Sequence, residues 1–161
     1  MVEQRVVNTS PLIYLARAEL LHLLRVPDTA VWVPHEVVAE LHAWPTGDAA
    51  QLAVRTQDWL TPLSPISVPS TVLAWDLGAG ESAVLAHAMA NPGVVAVVDD
   101  LAARRCAASL GIGVRGSLGL VLDARKRGVI ASARDTLQHL RECGMYLSDR
   151  IVEAALREID E

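Results

Sequence analysis

Phenylalanine is absent from this chain, and only two cysteines, Cys106 and Cys143, occur in its 161 residues. Two cysteines make neither a disulfide framework nor a metal quartet, and they fit a reducing compartment. No wholly apolar run approaches the roughly 18 residues that a membrane-spanning helix needs. The opening Met1-Val2-Glu3-Gln4-Arg5 has neither the basic start nor the apolar stretch of a secretory signal. Together these absences predict a soluble, cytoplasmic protein. Internal repeats and low-complexity tracts are also missing, which excludes repeat arrays.

An excess of positive charge is lacking as well. The net charge is −5, so nothing global draws the chain to nucleic acid. The signs are unevenly placed, however. Arg104, Arg105, Arg115, Arg125, Lys126 and Arg127 share one span in which Asp123 is the single acid. A basic flank beside an acidic centre suits a metal and a phosphodiester together, whereas the plainer reading is a set of solvated helix faces. The four tryptophans are too dispersed for a base-stacking platform and read as core or interface filler.

A hydrophobic content of 52% and a positive mean hydropathy exclude disorder. The length suits one domain, residues 1–161, with helices from about 129 to 161 packed on it. Apolar content this high in a small domain also predicts a homodimer.

The richest segment is Val94-Val95-Ala96-Val97-Val98-Asp99-Asp100. Its apolar run reads as a strand buried on both faces, as in parallel sheets. Its two acids fall at the carboxyl end, where open α/β sheets place their ligand crevice. The first strand, Arg5-Val6-Val7, ends comparably in Asn8-Thr9-Ser10 but carries no acid.

Between these strands the pattern alternates. Thr9 or Ser10 is placed to cap a helix with Pro11 in its first turn, and Leu20 to Leu24 is a short amphipathic stretch. Ala30 to Val33 reads as the second strand, and Pro34 opens a helix to His42 that Pro45 and Gly47 punctuate. Asp48 to Gln57 looks helical. The proline-rich residues 61–70 read as an ordered crossing with an extended piece near Leu63 to Val68. Helices are predicted over Gly80–Ala90 and Asp100–Leu110, with a short strand over Ile112–Arg115. Three more helices follow, with Gly128 and Gly144 as C-caps and Ser132 and Ser148 as N-caps. The fold class is therefore α/β: a parallel sheet of four to five strands with helices on both faces.

Five oxygen-bearing side chains fall near strand ends or helix starts: Asn8, Glu40, Glu81, Asp99 and Asp100. Glu81 begins its helix and shares a stripe with Val84, Leu85, Ala88 and Met89. Taken singly, Glu40 reads as a surface acid and Asp100 as an N-cap. Taken together, converging carboxylates without intervening lysines call for a hard divalent cation such as Mg²⁺ or Mn²⁺.

The segments Asn8-Thr9-Ser10-Pro11-Leu12-Ile13-Tyr14-Leu15-Ala16, Pro34-His35-Glu36-Val37-Val38-Ala39-Glu40-Leu41, Gly80-Glu81-Ser82-Ala83 and Asp99-Asp100-Leu101-Ala102-Ala103-Arg104 resemble the successive motifs of a PIN domain. More narrowly, the chain is similar to uncharacterised bacterial and archaeal PIN-like proteins that open on NTSPL or DTSPL. The likeness runs from about residue 5 to residue 155 and includes Gly116-Ser117-Leu118-Gly119. It implies a three-layer α/β/α fold and a Mg²⁺- or Mn²⁺-dependent ribonuclease acting on RNA. Such proteins are often the toxin of a toxin–antitoxin pair, which implies an antitoxin partner. The resemblance makes Glu40, Glu81 and Asp100 metal ligands, with Asp99 beside them. Asn8 stands where an aspartate is usual, Thr9 or Ser10 supplies a supporting hydroxyl, and Arg104 and Ser117 support the site. An amide at position 8 ligates through oxygen but supplies no charge and no base. A catalytically weak RNA- or protein-binding module is the alternative.

Two competing motifs fail. Gly111-Ile112-Gly113-Val114-Arg115-Gly116 fits GxGxxG, but a helix precedes it where a strand is required. His35-Glu36-Val37-Val38-Ala39 starts like a zinc-protease helix and lacks the second histidine.

Overall fold

Branched apolar triplets set the sheet. In the computed structural model, which describes residues 2–44 and 48–161, five strands form one wholly parallel sheet. They are β1 (Arg5–Val7), β2 (Val31–Val33), β3 (Leu60–Pro62), β4 (Val95–Val97) and β5 (Val114–Arg115), in the order β3-β2-β1-β4-β5. Val6, Val7, Val33, Ala96 and Val97 are fully enclosed, as strands covered on both faces must be. The fold is the predicted three-layer α/β/α arrangement.

The helices are α1 (Thr9–Arg17), α2 (His35–His42), α3 (Ala49–Thr56), α4 (Ser70–Leu73), α5 (Ala79–Ala90), α6 (Leu101–Ser109), α7 (Ser117–Lys126), α8 (Ala133–Glu142) and α9 (Asp149–Arg157), with a 3₁₀ turn at Leu21–Leu23. Ser132 and Ser148 cap α8 and α9 as predicted, and Gly128 and Gly144 take the positive φ of C-caps. The punctuation read at Pro45 and Gly47 lies outside the described residues.

Several local expectations are corrected. Asn8, not Thr9 or Ser10, stands at the N-cap of α1, and its side chain makes no capping bond. The extended piece falls at Leu60–Pro62, not Leu63–Val68. Pro62 is tolerated there because β3 is an edge strand, where a missing N–H breaks no central ladder. Of the tryptophans, Trp32 and Trp59 pack partly buried against the core and the other two do not. Trp44 and Trp75 are exposed, and Arg17 and Arg25 lie over the rings of Trp44 and Trp59.

Two ionic ties, the first of them buried, hold the periphery. Arg5, enclosed within β1, donates from Nη1 to the carbonyls of Leu23 and Leu24 at 3.3 and 3.0 Å and pairs with Glu3 at 2.7 Å. Glu161 accepts from the backbone N–H groups of Arg134 and Ala133 and from Arg125 Nε. These donors, led by the Arg134 N–H, hold its carboxyl down at about 2. One carboxylate thereby ties α7 to the start of α8.

The sheet order reverses at β1: β2 and β3 step outward on one side, β4 and β5 on the other. The switch point lies between β1 and β4, where open α/β sheets hold their ligands. Asn8 and the Asp99-Asp100 pair follow these two strands.

Candidate active site

Asn8 leaves β1 with its N–H bonded to the Val97 carbonyl of β4 at 3.0 Å, so the neighbouring strand fixes its place. It is 2% exposed. Its Nδ2 donates to Glu81 Oε1 at 3.2 Å, while its Oδ1 is buried without any hydrogen-bond partner. A buried carbonyl oxygen left bare costs about 1–3 kcal/mol. That oxygen is free to accept a hydrogen bond or to ligate a cation.

Glu40 joins the same cluster from α2. The Thr9 hydroxyl donates to its Oε2, and the Gly80 N–H donates to its Oε1 at 2.8 Å. The carboxylate thus bridges the first turns of α1 and α5, whose dipoles favour negative charge. Gly80 is what makes this possible. A methyl group there would stand 2.7 and 2.9 Å from the Glu40 oxygens and 2.8 Å from Asn8 Oδ1. Three oxygens thus converge on Gly80, at a distance that only a missing side chain permits. Gly78 does the same for Glu81, since a Cβ at position 78 would collide with Glu81 Oε2.

Glu81 is half-buried in the first turn of α5. The predicted apolar stripe is not what aims it. Ala83, Val84, Leu85, Ala86 and Ala88 are all buried, so α5 is covered on every side and has no polar face. Glu81 is placed instead by its position in the first turn and by Asn8.

Asp99 and Asp100 form a second group beyond β4. Asp99 accepts from the Ser117 N–H at 2.6 Å and the Ser117 hydroxyl at 2.7 Å, which fixes the start of α7. Ser117 is fully enclosed. Asp100 caps α6, with Oδ2 accepting from the Ala103 N–H at 2.9 Å. Its Oδ1 is left over. Arg104 Nη1 lies against Gly116, 2.5 Å from where a Cβ would sit, and Asp99 Oδ1 lies 3.2 Å from that same point.

The five predicted residues therefore share one sheet edge but gather as two groups: Asn8, Glu40 and Glu81, then Asp99 and Asp100. Thr9, Arg104 and Ser117 are brought in with them. Ser10 is not, because it is exposed and makes no side-chain hydrogen bond among the described residues. Nor do any three carboxylates, histidines or cysteines among the described residues form a cation cage alone. The Asn8 amide oxygen is needed to complete an oxygen set, and oxygen donors suit Mg²⁺ or Mn²⁺.

One neighbouring pair was not foreseen. His87 on α5 is buried with Nε2 unpartnered, and Glu36 Oε2 on the facing α2 is likewise buried and unpartnered. Burial lowers the His87 pKa, and the Glu36 charge only partly opposes this. The unfolded chain therefore binds a proton more readily than the fold below the ordinary value of about 6.5. Stability is fully present above that pH and falls as the pH drops. Thermal melts at pH 7.5 and 5.5 should show this loss in the wild type and a smaller one in His87→Leu. Equal losses would remove His87 as the source.

A family model described as a PIN domain matches residues 4–161. Among curated proteins, none matches the chain. PIN domains are generally nucleases that use divalent metals. The parallel sheet, the switch-point position of Asn8 and the acids around it agree with that match, and the chain belongs to the PIN-domain family.

Proposed function

We propose that this protein is a divalent-metal-dependent ribonuclease, acting as a single domain that hydrolyses RNA phosphodiesters. The observation that carries this reading is Asn8 Oδ1, a buried oxygen without a partner, converging with the Glu40 carboxylate on Gly80. Asn8, Glu40 and Glu81 would hold the cation, with Asp100 Oδ1 free to contribute from the second group. A Mg²⁺ or Mn²⁺ ion bound there would supply Lewis acidity toward water and neutralise the phosphate charge.

The chain's own residues divide the remaining work. Thr9 and the Gly80 N–H hold Glu40 still, which is the role of outer hydrogen bonds around any metal ligand. Asn8 takes no proton at its amide, so the base must be a carboxylate. Asp100 suits this best, since its Oδ1 is left over from the cap while Glu81 is committed to the cation and to Asn8. It receives the proton of the attacking water as that oxygen bonds to phosphorus and the bond to the leaving oxygen breaks, and the departing oxygen takes its proton from solvent. Asp99 acts as the staple that seats α7 beside the site.

The neutral amide at position 8 favours a second reading, a weakly active module that binds RNA or protein. Cleavage of labelled single-stranded RNA with 1–5 mM Mn²⁺ or Mg²⁺ tests the first against the second. Wild type should cleave in a cation-dependent, EDTA-sensitive way. Asp100→Asn retains the N-cap, because asparagine caps as well as aspartate, yet should lose about 10–100-fold in rate. Cation-independent cleavage, or none, contradicts the enzyme reading. A toxin role and membership of the NTSPL subgroup extend the same proposal, and a cognate antitoxin gene beside this one would support them.

A further inference from the structure

A groove of about 450 Å³ runs from the second acid group along α7, with α9 as its other wall. Its near end is Gly116, the residue over which Arg104 lies and next to Ser117, which holds Asp99. Its far end is Lys126, the only lysine in the chain. Ten residue steps along α7 separate these ends, roughly 15 Å along the axis.

The lining has a consistent chemistry. Leu118, Leu122 and Ile151 give it an apolar floor, and Ile151 is 52% exposed. Gly119 lies in the middle of α7, where a Cβ would meet nothing within 4 Å. That glycine weakens the helix by about 0.5–1 kcal/mol and leaves the floor open. Arg115 is neutralised by Asp123 and Glu3, each at 3.5 Å. Arg104 and Lys126 have no ion-pair partner among the described residues. Two uncommitted cations therefore stand at the ends of an open trough, with Glu158 the one acid of its lining that no cation pairs.

We propose that this groove is a subsite for the sugar–phosphate backbone of single-stranded RNA as it leaves the site. The assignment rests on the ribonuclease reading and specifies where the strand runs. Its grounds are continuity with the acid group at Gly116 and complementarity between a polyanion and the Arg104 and Lys126 charges. The apolar floor packs against riboses and base faces. No aromatic side chain lines the groove, so stacking contributes little and binding is governed by phosphate contacts.

Fluorescence anisotropy with a labelled uridine decamer, in EDTA at 50 and 200 mM salt, tests this on the full chain. Lys126→Gln should weaken binding about 3–10-fold at the lower salt and reduce the salt slope by about 0.7, the loss of one phosphate contact. Gly119→Leu fills the floor from a position with free space without adding a stacking face and should weaken binding about tenfold at both salts. A melting temperature no lower than that of the wild type would show that the fold is intact. The decamer should also protect Lys126, the only side-chain amine, from acetylation read by mass spectrometry. Wild-type affinity in both variants, or acetylation unaffected by RNA, overturns the groove assignment and leaves the trough to a protein partner. Wild type that binds no decamer at either salt overturns the RNA reading itself.

Discussion

Gly80→Ala is expected to abolish cation-dependent RNA cleavage, with a loss of at least about 100-fold, while the sheet and helices persist. Alanine is the better helix former by about 0.5–1 kcal/mol, so α5 gains locally from the change. The damage comes from the position of the methyl group. It would stand 2.7–2.9 Å from both Glu40 oxygens and Asn8 Oδ1, closer than carbon and oxygen pack. Asn8 is fixed by β4 and Glu40 by Thr9 and the Gly80 N–H, so neither retreats without losing a bond. A displacement of about 1 Å in a reacting constellation costs about a hundredfold. Steady-state cleavage with circular dichroism as the fold control decides the point. Near-normal cleavage in this variant would mean that the Asn8–Glu40 cluster is not where the reaction is organised.

Asn8→Asp should have the opposite effect on metal affinity and a cost without metal. The amide now neutralises part of the cluster and donates to Glu81 Oε1. A carboxylate would remove that donor and set two negative charges against each other in a place where residue 8 is almost wholly buried. In EDTA the variant should lose about 1–3 kcal/mol, seen as a melting temperature lower by roughly 2–10 °C. With millimolar Mn²⁺ the order should reverse. The added charge tightens cation binding, and binding at 100 times Kd adds about 2.7 kcal/mol to the fold. Turnover should rise with it. Equal Mn²⁺-induced shifts in variant and wild type would take Asn8 out of the cation site.

The features legible in the sequence were those with a local physical cause. The Val95–Val97 strand and its trailing acids stand out because a doubly covered strand tolerates no polar residue. The serine and glycine caps of the last helices follow from side chains that bond their own backbone. Features set by tertiary contact were harder to read. Periodicity says nothing about a helix that is apolar on all sides, so the orientation of Glu81 rests on Asn8 and on glycines 78 and 80. Asp99 and Asp100 are adjacent in sequence, yet one bonds Ser117 across the sheet edge and the other caps its own helix. Only Asp100 announces its role locally, through its place just before Leu101. The choice between Thr9 and Ser10 was settled by Glu40, which lies 31 residues away from Thr9 in the chain. Likewise composition does not place the exposed Trp44 and Trp75, and an arginine over such a ring adds only about 0.5–1 kcal/mol, less than core burial would. Arg17 covers Trp44 in this way, and Trp75 has no such cover among the described residues.

The central claim is that Asn8, Glu40 and Glu81 hold a divalent cation beside Gly80. Anomalous diffraction from crystals soaked in Mn²⁺ tests it most directly. A single strong peak within coordination distance of Asn8 Oδ1 and at least one of the two glutamates is the expected result. No peak at that edge, or one held by Asp99 alone with Asn8 Oδ1 still bare, would contradict it.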